Sequence, residues 1–288
     1  NRERALDIMK DSRVGSYGAL ALVLAVAAKT ALIALLAQAG VARPAGSIAL
    51  ARGEHLANGG LRCALVRSGQ VAAAVLVQTG TEWRLLNTAD AQGAAQALAL
   101  DAALTWTAVQ VQAAPAVEVN GALDVRTLQA AVVAAQMAGA LSSVFRRSLQ
   151  YANERQQFGR PIGKFQAIQH QLAVMSEHVF AARMAAQLGC SAGHDGMGVV
   201  PDRLRVATAK ARCSEAALVV SELAHAIHGA IGFTEEYDLQ LFTRRLHAWR
   251  QTAGSEAYWY GVAGEALLHH QGMTLDIVRR ITDVDTVL

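Results

Sequence analysis

The sequence predicts a mostly α-helical chain with a small β region, closing in an antiparallel four-helix bundle. Three observations carry this. From about residue 123, apolar residues recur every three or four positions, as at Val133, Met137, Leu141 and Val144; that spacing lines one face of a helix. Between 43 and 122 the apolar runs are short and separated by Gly, Ser and Asn, the texture of strands and turns. Only 5% of the 288 residues are aromatic, while Ala, Leu and Val abound, which suits helices packed closely through small side chains.

Taken in order, residues 1–42 read as an N-terminal helical region. Within it, "YGALALVLAVAAKTALIALLAQAGVA" (17–42) is the one stretch apolar enough to consider for a membrane. Lys29 near its middle and its high Ala content argue against a span, so a buried helix, or two short ones, is expected. The chain opens at Asn1 rather than Met, and the expectation is that the true N-terminus lies upstream.

Residues 43–122 form a reduced middle β-domain. "LRCALVR" (61–67), "VAAAVLVQT" (71–79), "EWRLLNT" (82–88) and "TWTAVQVQ" (105–112) are the predicted strands, and Asn120-Gly121 closes the region. Trp83 and Trp106 are assigned to core packing.

Residues 123–288 form the bundle. Its first helix carries the stripe above, continued to Leu149. Its second shows Ile168, Leu172, Met175 and Val179, its third Leu204, Ala207, Ala211 and Leu218, and its fourth runs from about Ser255 to His270. Residues 190–202 make the turn between the second and third, with Pro201 suited to a helix start. Short turns between long amphipathic helices imply antiparallel neighbours.

Net charge is +3 with both signs interspersed, so no basic face for nucleic acid is expected. Arg244-Arg245 and Arg279-Arg280 read as solvated or capping pairs. The three cysteines, Cys63, Cys190 and Cys213, are far apart and never in a CxxC pair, which predicts a reduced, cytoplasmic protein without a zinc site or disulfide framework. His225 and His228, and the adjacent His269 and His270, lack a carboxylate or thiol to complete a metal set.

Two segments ask for more than a bundle. In "YANERQQFGRPIGKFQAIQHQLAVM" (151–175) a helical run stops at Phe158-Gly159, turns through Arg160-Pro161 and restarts at Phe165. Gly suits the left-handed position past a helix end, and Pro stops continuation. Neither accounts for Arg155. In "AHAIHGAIGFTEEYDLQLFTRRLHAWR" (224–250) a helix ends in Gly229-Ala230-Ile231-Gly232 before an acidic turn and a basic segment. Small residues there let backbone N–H groups approach an anion.

Together the two segments resemble the acyl-CoA dehydrogenase family. The first is similar to its R-x-x-F-G-x-P-(I/L)-x-x-(F/H)-Q turn, met by Arg155, Phe158, Gly159, Pro161, Ile162, Phe165 and Gln166. The second is similar to its Q-x-x-G-G-x-G-(F/Y) motif, and the likeness runs over about 123–271. The resemblance implies FAD held between the bundles of neighbouring subunits. Arg155 would reach the diphosphate, Phe158 would pack by the adenosine, Phe165 and Gln166 would line the nucleotide, and Gln157 would be a further cofactor-binding residue. Ala226, Ile227, His228, Gly229 and Ala230 would bring main-chain groups to the diphosphate or ribose, and Ser255 would touch the flavin or ribose.

The departures matter as much. Ala226 stands where the family has Gln, and Ala230 where it has its second Gly. The middle region holds nothing like the family's T-E-P-x-x-G-S-D loop or W-I-T-N strand. Family members take the α proton of an acyl-CoA thioester with a Glu in a (Y/F)-E-G-(T/S) segment; the matching "TAGSE" (252–256) has Ala253 there. The family's other placement, 22 residues before the Tyr matching Tyr151, is Gln129. Glu256 reads as a solvated carboxylate of a helix's first turn. No catalytic residue is therefore assigned.

The resemblance implies an FAD-linked acyl-CoA dehydrogenase-like subunit lacking its own base and acting with a full-length catalytic partner. The alternatives are a homodimer or homotetramer using another base on an acyl-CoA, and a non-catalytic helical scaffold or regulatory homologue.

Overall fold

A computed structural model describes residues 36, 40–42, 44–96, 100–119, 123–191 and 201–283. The expected helix within 17–42 and the Asn120-Gly121 boundary fall outside the described residues, apart from a few positions of the former. The chain divides into two compact units, one within 29–129 and the other from Ala130 onward.

The first unit is built on two small sheets. β1 (Ile48–Arg52) lies parallel to β4 (Ala74–Thr79), which pairs antiparallel with β5 (Glu82–Asn87). The second sheet is antiparallel, in the order β2 (Glu54–His55), β3 (Leu61–Val66), β7 (Ala102–Trp106) and β6 (Gln92–Ala95). β4 is central in its sheet and buried on both faces, so it reads as a near-continuous apolar run. Val75 and Val77 join a core with Leu61, Cys63, Leu104 and Trp106, while Ala74 and Leu76 join another with Trp83, Leu85 and Val117. Both tryptophans are core residues; Trp106 Nε1 also donates to the Asn87 carbonyl at 2.8 Å.

One expected strand is half helix. "TWTAVQVQ" begins as the end of β7, but Thr107 caps a helix, α1 (Ala108–Ala113). The Gln110 amide oxygen accepts from the Thr107 N–H at 2.8 Å, completing a capping box that alternation alone does not reveal.

The second unit is the bundle. Its long helices are α2 (Val125–Glu154), α3 (Gln166–Cys190), α4 (Arg203–His228) and α6 (Glu256–His269). Two more were not anticipated: α5 (Leu239–Gln251), formed by the basic segment, and α7 (Thr274–Thr282). Val133, Met137, Leu141 and Val144 of α2 pack with Leu172, Met175 and Val179 of α3 and with Cys213, Ala217 and Val220 of α4. Leu149 is exposed, because a step of five turns about 140° past the stripe; Ser148 and Ala152 are buried instead.

α4 is buried nearly all round, so no single stripe describes it, and Leu218 is only half-buried. Small residues allow this: a methyl on Gly189 of α3 would lie 2.5 Å from the Ala209 Cβ of α4. α2 and the run Arg203–Phe233 have the length and hydropathy of membrane-crossing helices, yet their apolar residues face one another and α3. Pro201 is not the first helical residue; Asp202 is the N-cap, accepting from the Arg205 N–H at 2.9 Å.

Candidate functional site

α2 ends at Glu154, earlier than the sequence implied, so Arg155 is the first residue beyond it. Its N–H still donates to the Tyr151 carbonyl, and its carbonyl accepts from the Ile162 N–H, both at 2.8 Å. Between them lies a hairpin of β8 (Gln156–Gln157) and β9 (Arg160–Pro161). Phe158 and Gly159 turn it with φ of 52° and 77°, the two positive values of a type I′ turn. Gly159 therefore serves the hairpin and not the helix end. Phe158 costs about 1 kcal/mol in that conformation and is 90% exposed, its ring edge-on to Phe165. The Arg160 guanidinium covers the Phe165 ring at 4.2 Å.

At the far end of α4, Gly229 takes φ +64° and starts a 3₁₀ turn through Phe233. A side chain there would meet nothing within 4 Å, so the glycine serves the backbone turn. The following turn is tied to α2 by a two-pronged ion pair, Arg147 Nε and Nη2 to the Asp238 carboxylate at 2.9 and 2.7 Å. Arg147 also lies over the Phe242 ring.

The two segments meet in one groove of about 570 Å³. Tyr151, Arg155, Gln157, Phe158, Ile162, Phe165 and Ile168 form one wall, and Ala226 to Ile231 the other. Nine of the eleven residues assigned from sequence are thus brought together. Gln166 and Ser255 do not line it: Ser255 is the N-cap of α6, accepting from the Tyr258 N–H at 3.4 Å. Tyr151 was missed as a wall residue, although it stands one helical turn before Arg155 and so on the same face.

Among the described residues the Arg155 side chain has no hydrogen-bond or ion-pair partner. His228 is 4% exposed and stacks on Tyr151. Its Nδ1 lies 2.7 Å from the Ala224 carbonyl, and its buried Nε2 has no partner among the described residues. Burial pushes its pKa down, partly opposed by that carbonyl contact.

The family's base positions hold no carboxylate. Gln129 donates through Nε2 to the Leu50 carbonyl of β1. Ala253 sits in the left-handed region (φ 59°) before Gly254 (φ 104°), and its carbonyl accepts from Trp259 Nε1 at 3.0 Å. Glu256 is ion-paired with Arg250, not simply solvated, and this contact holds its carboxyl below the usual range. Sequence reasoning also missed Lys210, fully buried on α4. Its Nζ donates at 2.9 Å to Ser214 Oγ and to the Arg250 and Gly254 carbonyls on either side of position 253. Among the described residues no cluster of His, Cys, Asp and Glu could hold a metal.

The family described as acyl-CoA dehydrogenase, C-terminal domain, matches residues 124–268. The chain belongs to the acyl-CoA dehydrogenase family. The acyl-CoA dehydrogenase IpdE2 of Mycolicibacterium smegmatis is 37% identical over 125 residues, which are 43% of this chain and 38% of that protein. The chain thus spans well under half the length of this curated relative. The ChsE4–ChsE5 complex from Mycobacterium tuberculosis superposes with TM-score 0.64 at 23% identity, over 80% of this chain and 65% of that one. A variant of the Tcur3481–Tcur3483 steroid ACAD gives 0.62 at 25%, over 77% and 62%. A second family, described as cobalamin-5-phosphate synthase, matches residues 1–154. In its described part that stretch is folded as the two sheets, α1 and α2. These two solved structures cover too much of this chain to include the bundle alone.

Proposed function

We propose that this acyl-CoA dehydrogenase-family chain is the base-lacking subunit of an FAD-linked enzyme acting on an acyl-CoA thioester. It would hold the adenosine-diphosphate side of FAD in the groove while a full-length catalytic partner brings the carboxylate. The observation that carries this reading is the contrast between an intact groove and base positions holding Ala253 and Gln129. A general base contributes roughly 10²–10⁴ in rate, so its loss removes ordinary dehydrogenation from this chain alone. Two of the similar solved structures are named as paired components, which supports a heteromeric assembly.

The groove's residues fit one half of a dinucleotide. The unpartnered Arg155 guanidinium offers a charge-assisted contact to a diphosphate, worth about 1.5–3 kcal/mol. Phe158, Ile162 and Phe165 give an apolar wall for the adenosine side. Gly229 leaves the backbone of the opposite wall open to close approach. When bound, FAD supplies the acceptor for the hydride leaving the substrate's β carbon. This chain's contribution is to bind and orient.

Co-expression with a full-length acyl-CoA dehydrogenase should yield a yellow complex, and Arg155→Ala should yield a complex of equal size with most flavin lost. A chain that purifies alone with FAD and oxidises acyl-CoA would overturn the reading. So would an Arg155→Ala complex of undiminished flavin content.

A further inference from the structure

We propose that His225 and His228 make one wall of the groove proton-sensitive: the 3₁₀ turn Gly229–Phe233 and the start of α5 stay seated on α4 while both rings are neutral, and acid releases them. This goes beyond the FAD reading and does not depend on it.

Each ring has one nitrogen engaged and one sealed. The Ala224 carbonyl can only accept, so the proton of neutral His228 is on Nδ1. In His225 the engaged nitrogen is Nε2, 2.9 Å from Thr243 Oγ1 of α5. The remaining nitrogens, His228 Nε2 and His225 Nδ1, are buried with no hydrogen-bond partner among the described residues. A second proton on either ring turns the sealed position into a charged N–H donor with no acceptor, which costs far more than a bare lone pair.

The same rings hold the wall. His225 stacks on Phe233 at 4.2 Å, and a methyl on Gly232 would lie 3.1 Å from its Nδ1, so the turn rests directly on this ring. His228 is held by Tyr151 of α2, 4.4 Å away, and by Tyr237, 5.1 Å away. Gly229, at φ +64° with open space about it, is the joint on which the turn swings. Nearby charges do not rescue a protonated pair. His247 of α5 repels a charge on His225, and His225 repels one on His228. Asp238 attracts a charge on His228 but is already paired with Arg147 of α2, and Glu154 of α2 acts on the neighbouring Tyr237. The C-terminal end of α4 favours a cation, yet burial outweighs these attractions and pushes both pKa values below the ordinary 6.5. Released rings are solvated and titrate near the ordinary value. As pH falls below it, the open wall binds more protons than the closed one and gains up to about tenfold in population per pH unit for each histidine.

The test is hydrogen–deuterium exchange of the full chain from pH 7.5 to 5, corrected for the intrinsic pH dependence of amide exchange. Protection of residues 229–243 should fall about tenfold between pH 7 and 5.5, while residues 133–144 of α2 keep theirs. The double variant His225→Phe/His228→Phe keeps both rings and should lose this pH dependence. Nitrogen-15 imidazole shifts of the wild type should show both rings titrating below 6.5, a readout that stands even where the variant does not fold. Protection at 229–243 that is flat with pH in the wild type, or that falls equally along α2, would overturn the proposal. So would a pH-dependent loss that persists in the double variant, or wild-type rings that titrate at 6.5 or above.

Discussion

Tyr151 of α2 and His228 of α4 stack with ring centroids 4.4 Å apart and planes 24° from parallel. The Tyr151 hydroxyl also donates to the His228 carbonyl at 3.4 Å. One residue lies a turn before Arg155 and the other directly before Gly229, so this contact sets the spacing of the two groove walls. Tyr151→Leu should lower stability by about 1–2 kcal/mol, from a lost aromatic pair and hydrogen bond. Flavin or ADP affinity should fall at least several-fold, read by thermal unfolding and titration. An unchanged affinity would mean that the stack does not set the groove.

Arg155→Gln separates binding from folding. The side chain is exposed and unpartnered among the described residues, so stability should change by no more than about 0.5 kcal/mol. Ligand affinity should fall roughly tenfold or more. Chemical denaturation beside titration of the same preparation checks both halves.

Lys210 predicts a pH dependence. Burial lowers its pKa from 10.5 to about 8 in the folded chain. Below pH 8 both states are protonated and this group adds no slope. Between 8 and 10.5 the unfolded chain holds more protons, so the lysine makes stability rise with pH, by at most roughly 3 kcal/mol. The buried thiols Cys63, Cys190 and Cys213, pushed up to about 12, 11 and 12, act in the opposite sense above pH 9. The measurement is therefore the difference between wild type and Lys210→Met in denaturant midpoints from pH 7 to 10.5. That difference should shift in favour of the wild type as pH rises.

Gly254→Ala should destabilise by about 2–3 kcal/mol. The new methyl would lie 2.7 Å from Tyr258 Cδ1 and 2.8 Å from Trp259 Nε1, at a φ of 104° that L-residues avoid. Ala253→Gly, one residue earlier at φ 59°, should be neutral or mildly stabilising. Opposite signs at adjacent positions, read by melting temperature, would establish that backbone conformation governs this turn.

Much of the architecture was legible from periodicity. The stripe from Val133 to Val144 and the runs at 61–66, 74–79 and 82–87 became the helix and strands they implied. Local hydrogen-bond chemistry was not legible in the same way. Thr107 with Gln110 turned a strand-like run into α1, and Phe158-Gly159 made a hairpin where a helix end was expected. α5 and α7 escaped notice because their charged faces dominate short segments.

The sequence by itself determined the family, the long bundle helices and the strands at 61–66, 74–79 and 82–87, and the absence of a carboxylate at 253 and 129, because these depend on residue identity and spacing along the chain. Tertiary structure alone decided which distant residues share a wall, since Tyr151 and His228 are brought together only by the packing of α2 against α4. It also decided that His228 Nε2 would be buried without a donor among the described residues, and Lys210 enclosed by three oxygens. Those states depend on which atoms surround a polar group after water has been excluded, and no spacing along the chain encodes that.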